Sequence, residues 1–116
     1  MLAGQLEEAD RALAEAIRLS PGLVQAETIR GMIAKMSGRR DEARDRFLAV
    51  ARAHPDAVVA RQYLAEMYEN DYGDPASALR MCREVQALAP QALGAAECIR
   101  RNERRLAETA APAEKR

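Results

Sequence analysis

One frame recurs three times in this chain: Gly-x4-Ala-x3-large-x2-small-x4-Pro. It is carried by GQLEEADRALAEAIRLSP (4–21), GRRDEARDRFLAVARAHP (38–55) and GDPASALRMCREVQALAP (73–90). The slots hold Gly4, Ala9, Leu13, Ala16 and Pro21, then Gly38, Ala43, Phe47, Val50 and Pro55, then Gly73, Ala78, Cys82, Val85 and Pro90. Each copy runs 17 positions from Gly to Pro, and the prolines stand 34 and then 35 residues apart.

A physical requirement stands behind each slot. Gly relieves a tight turn between helices, where a positive φ is often needed. Ala, the large residue and the small residue share one helix face at i, i+4 and i+7. Small residues admit a neighbouring helix closely, and the large one plugs the gap. Pro cannot continue a helix and pushes the residue before it out of the α region. Pro21, Pro55 and Pro90 therefore mark helix ends.

Between the frames lie further helical patterns. GLVQAETIRGMIAKMS (22–37) spaces Ala26, Ile29, Ile33 and Met36 by three and four, and DAVVARQYLAEMYEN (56–70) aligns Val59, Tyr63, Leu64 and Met67. QALGAAECIRRNERRLAE (91–108) offers Ala95, Ile99 and Leu106 before turning polar. The pattern predicts six helices, at about 2–19, 23–36, 39–53, 57–70, 75–88 and 92–108, and a flexible tail over 109–116.

Composition agrees. Alanine supplies 25 of 116 residues, and β-branched residues, which favour sheet, are few. A chain of this length buries roughly two-thirds of its unfolded surface as one domain. Eighteen basic and eighteen acidic residues cancel, so no global field draws nucleic acid or an anionic membrane. No apolar run reaches the roughly 18 residues of a membrane span, and MLAGQLEEAD lacks the basic-then-apolar order of a signal peptide. Cys82 and Cys98 form no metal spacing and no evident disulfide framework; they read as packing thiols in a reducing, cytoplasmic compartment.

A period near 34 residues with two helices per period resembles the tetratricopeptide repeat (TPR). Leu64, Ala65 and Tyr68 match that family's first-helix pattern, with Ala in its Gly slot, and Gly31 matches in the preceding repeat. Ala43, Phe47 and Pro55 match its second-helix pattern outright, while Leu13 and Cys82 take the Phe slot in the other copies. Both Trp slots are charged instead (Glu27 and Arg61), Arg30 stands in a Leu slot, and Ala34 replaces Tyr. The turn ENDYGDP is one residue longer than usual, hence the 35-residue spacing. The resemblance implies an all-α fold: a short right-handed α-solenoid of antiparallel helix pairs. Its domain is 1–108, with units of about 1–21, 22–55 and 56–90 and a closing helix at 91–108.

The resemblance also implies a protein-interaction scaffold whose first-type helices line a concave groove. That groove would present Gln25, Thr28, Met32 and Lys35, then Gln62, Glu66 and Glu69, then Arg101, Arg104 and Arg105 from the closing helix. Two readings stay open: solvated helix faces, or a groove for a peptide carrying both charge signs. Thr28 and Met32 stand where a carboxylate clamp would need Lys and Asn, which disfavours that mode. The arginines of IRRNERRLAE read as a solvated helix end paired with Glu97, Glu103 and Glu108. No stacking aromatic accompanies them, against single-stranded nucleic acid.

Nothing points to catalysis, a metal or a cofactor. The one imidazole, His54, reads as an exposed helix-end residue. The first helix raises an alternative function. Leu6, Ala9, Leu13, Ala16 and Ile17 share a side, and this helix lacks a first-type partner in its own repeat. Leu2, Leu6, Leu13 and Ile17 are candidates for homodimerisation or stacking in a longer array.

Overall fold

The computed structural model describes residues 2–114, and the side chains of 4–109. Six helices follow one another: α1 (Leu2–Leu19), α2 (Val24–Met36), α3 (Arg40–Ala53), α4 (Val58–Asn70), α5 (Pro75–Leu88) and α6 (Ala95–Glu114). No strand occurs among the described residues. The three second-type helices each stop two residues before their proline, at Leu19, Ala53 and Leu88. Gly38 and Gly73 have φ of +81° and +57°, the left-handed turn that the frame requires. Gly4 departs from it: it lies inside α1, not in a turn. The longer turn before α5 ends on Asp74, whose carboxylate accepts from the Ser77 N–H at 3.1 Å and hydroxyl at 2.6 Å. Pro75 then occupies the first helical turn, where its missing N–H costs nothing.

The last helix differs from expectation at both ends. The turn through Gly94 (φ +88°) delays its start to Ala95. It then runs to Glu114, through most of the segment read as a flexible tail. Ala107, Ala110 and Ala111 supply the highest helix propensity available over that stretch.

Two compact units divide the chain, one ending at Ala60 and the other starting at Arg61. In the first, α2 packs on α3 and α1 packs on α2. Phe47 is wholly buried, with Ala34, Ala43 and Val50. A Phe of this kind is worth about 1.5–3 kcal/mol in burial alone. Its ring lies against Gly31, where any side chain would collide.

The packed face of α1 departs from the predicted one at Ala9, which is exposed, while Leu6, Leu13, Ala16 and Ile17 are half-buried together with Asp10. Asp10 joins this face because it accepts from Arg30 Nε at 2.7 Å and Nη2 at 3.1 Å. The guanidinium holds its carboxyl below the ordinary carboxylate range. Leu6, Leu13 and Ile17, expected to serve self-association, are thus partly covered within the unit. Leu2's side chain lies outside the described residues.

In the second unit α5 packs on α6. The residues filling the repeat slots, Ala78, Cys82 and Val85, are buried. Cys82 and Cys98 are not the packing thiols the sequence implied: they form a disulfide between α5 and α6, with Cα atoms 6.2 Å apart. Disulfides persist in oxidising compartments, so the cysteines no longer argue for a reducing one. No described helix is long and apolar enough to cross a membrane.

The charged residues in apolar family slots all find partners on neighbouring segments. Arg30 holds Asp10 of α1. Arg61, 8% exposed, donates Nε to Glu84 Oε1 at 2.7 Å. Glu27 Oε2 stands 3.6 Å from His54 Nε2, so His54 is half-buried beside a carboxylate, not a bare helix end. Two α6 residues pair across helices: Glu103 accepts from Arg83 at 3.0 Å, and Arg101 grips Glu69, while Glu97 of α6 adds a smaller attraction to Arg101.

Candidate functional site

Each unit carries one depression lined by residues predicted for the groove. In the first unit α2 and the start of α4 border an apolar hollow of about 290 Å³. Val24, Ile29, Met32, Val58 and Val59 form most of its lining, with Gln25 and Thr28. Ile29 and Val59 remain 41% and 50% exposed, and Met36 is 61% exposed. Thr28 is buried, and its hydroxyl donates to the Val24 carbonyl at 2.7 Å. That bond satisfies the oxygen within the helix. Gln25 is exposed and brings an amide with two donors and an acceptor. Lys35 is half-buried and does not line the hollow.

The second unit holds a depression of about 350 Å³. Gln62, Glu66, Glu69 and Arg101 line it, together with Leu93 and the two bridged cysteines. Glu69 is buried and accepts from both Nε and Nη2 of Arg101, Nη2 to Oε1 at 2.9 Å. Arg101 is the main reason that Glu69 ionises below the usual carboxylate range. This pairing makes Glu69 and Arg101 a strut between α4 and α6 rather than two separate charges offered to a ligand. Arg104 and Arg105 are exposed on α6 and lie outside the lining.

Beneath the strut sits Asn102, fully buried. Its Nδ2 has three acceptors in range: Cys98 O at 2.8 Å, Glu69 Oε2 at 3.3 Å and Cys98 Sγ at 3.4 Å. Its Oδ1 is buried with no donor. The sequence reading missed Asn102, Val24, Ile29, Val58 and Val59. For the last two a signal existed: Val58 and Val59 are adjacent and cannot both face one core. Among the described residues no group of His, Cys, Asp or Glu is placed to hold a metal ion.

No protein-family model matches the chain, and no curated protein is recognisably similar to it in sequence. Solved structures do resemble it. One described as "MamA MSR-1 C2" superposes with a TM-score of 0.67 at 21% identity, over 94% of this chain and 63% of that one. Another, "MamA AMB-1 C2221", gives 0.68 at 21% identity, over 97% and 66%. The chain spans just under two thirds of the length of these proteins. At this identity the likeness shows the fold, an all-α, TPR-like helical solenoid.

Proposed function

We propose that the chain is a non-catalytic protein-binding scaffold, and that the apolar hollow of α2 and α4 receives an apolar side chain of a partner segment. The observation that carries this reading is the exposure of Ile29 and Val59 on the two sides of an open hollow. Apolar surface of this kind beside a polar rim is where interfaces form. Gln25 would bond the partner's backbone, and Met32 would adapt to the side chain's shape. Panning a random-peptide phage library tests it. The wild type should enrich peptides with an apolar centre, and the Ile29→Asp/Val59→Asp variant should not retain them. Equal retention by a folded variant would refute the assignment.

A second reading, self-assembly through α1, draws on a different observation. The repeat slots are 0%, 0% and 1% exposed at Ala43, Phe47 and Val50, whereas Ala9 is exposed and Leu13 and Ala16 only half-buried. Leu19 adds 69% exposure at the end of the helix. Light scattering over a concentration series tests this reading. A constant monomer mass would dismiss it.

A further inference from the structure

The bridge between Cys82 and Cys98 occupies an unusual place. Both residues are nearly buried, at 3% and 7% exposure, yet both belong to the wall of an open depression. The bridge is also not the sole link between its helices, since Arg83 and Glu103 join α5 to α6 independently. Met81 and Val85 of α5 and Ala95 of α6 are buried as well.

Asn102 connects the bridge to the surface. Its amide nitrogen contacts Cys98 Sγ and Glu69, and Glu69 holds Arg101 at the lining of the depression. In the bridged state Asn102 Oδ1 is buried with no donor, which leaves a buried acceptor unsatisfied. A disulfide sulfur has no hydrogen to offer. A cysteine thiol does.

We propose that the Cys82–Cys98 bridge is a reversible redox switch read by Asn102. A dithiol reductant enters the depression, and its thiolate attacks the sulfur of Cys98, the more exposed of the two residues. Cys82 leaves as a thiolate and takes a proton. The reductant's second thiol then closes its own disulfide and releases Cys98 as a thiol. Two electrons and two protons pass from the dithiol to the cysteines. The new Cys98 S–H stands beside the Asn102 amide. Released from Cys82, the Cys98 side chain rotates its S–H toward Oδ1 and takes its sulfur from Nδ2, which keeps its bond to the Cys98 carbonyl and shifts relative to Glu69. Redox state at the bridge thereby reaches the Glu69–Arg101 strut.

The test is a titration of the intact chain with dithiothreitol. Mass spectrometry after alkylation counts free thiols, while NMR follows the Asn102 side-chain amide and the Arg101 Nε–H. The expected result is no alkylation in the air-equilibrated protein and two alkylated cysteines after reduction. Backbone dispersion should be retained, and both side-chain signals should move with the loss of the bridge. Asn102→Ala should leave the Arg101 signal insensitive to reduction. Full alkylation before reduction would overturn the proposal. Collapse of the second unit's signals on reduction, or unmoved Asn102 and Arg101 signals in the reduced wild type, would do so too. The wild-type comparison decides the matter even if the Asn102 variant does not fold.

Discussion

Gly31 of α2 lies so close to the ring of Phe47 that a β-carbon there would stand 2.6 Å from Cε1 and 2.9 Å from Cδ1. Phe47 is itself fully buried and has nowhere to retreat. Gly31→Ala should therefore destabilise the chain by about 1–3 kcal/mol, despite alanine's better helix propensity. Urea denaturation checks this. An unchanged or raised midpoint would show that the helices can part cheaply.

Truncating the other side of the same contact should cost more. Phe47→Ala removes the largest buried side chain of α3 and leaves a cavity, for about 3–5 kcal/mol. That is a large part of the stability of a domain this small. Circular dichroism on heating should show either a strongly lowered Tm or no cooperative transition.

The polar slots call for a different prediction. Arg61 is nearly buried and Glu84 is partly exposed, at 10% and 40% of their side chains. Arg61→Met would fill the slot with an apolar chain while Glu84 turned to water. The change should stay within about 1 kcal/mol of wild type. Arg61→Asp, which buries a second acid facing Glu84, should cost roughly 3 kcal/mol or more. Comparable losses in both variants would mean that the ion pair itself, and not the filled volume, holds the slot.

These slots also show what the sequence could and could not disclose. The helix ends were legible because proline and positive-φ glycine act locally. Gly38, Gly73, Pro55 and Pro90 each place a boundary within two residues. The core of α3 and α5 was legible because Ala43, Phe47, Val50 and their counterparts repeat at one spacing. The polar member of the α1 face was not. Asp10 packs there only because it meets Arg30, twenty residues on and in a different helix. The disulfide was hidden for a related reason. Cys82 reads as a filler of the large slot, and only the packing of α5 on α6 brings Cys98 to it. Of the nine residues lining the hollow, three carried the groove expectation: Gln25, Thr28 and Met32. Ile29 and Val59 did not, because helical spacing alone does not choose between two flanking faces.

Acid should weaken the second unit through Glu69. Arg101, and to a smaller extent Asn102, hold its folded-state pKa below the ordinary value of about 4.3. A depressed carboxylate contributes stability above its unfolded pKa and loses it as pH falls through the folded one. The Tm should thus decline as pH drops below about 5, and Glu69→Gln should flatten that decline. A wild-type and variant slope that coincide would contradict this role for Glu69. At neutral pH, Arg101→Ala should cost about 1–3 kcal/mol by leaving a buried carboxylate short of its main donor.

Breaking the bridge should also be visible in stability. It closes a loop across a separation of 16 residues, for which chain entropy gives about 3 kcal/mol. Denaturation with and without reductant checks this. A difference below roughly 1 kcal/mol would mean that reduction leaves the unfolded chain's freedom nearly unchanged.

The central claim is that a partner segment docks in the apolar hollow of α2 and α4. An amide NMR titration with a peptide enriched from the library tests it most directly. The account predicts shifts concentrated at Val24, Gln25, Ile29, Met32 and Val59, and their loss in the Ile29→Asp/Val59→Asp variant. Shifts centred elsewhere, on α1 or on the exposed arginines of α6, would contradict it.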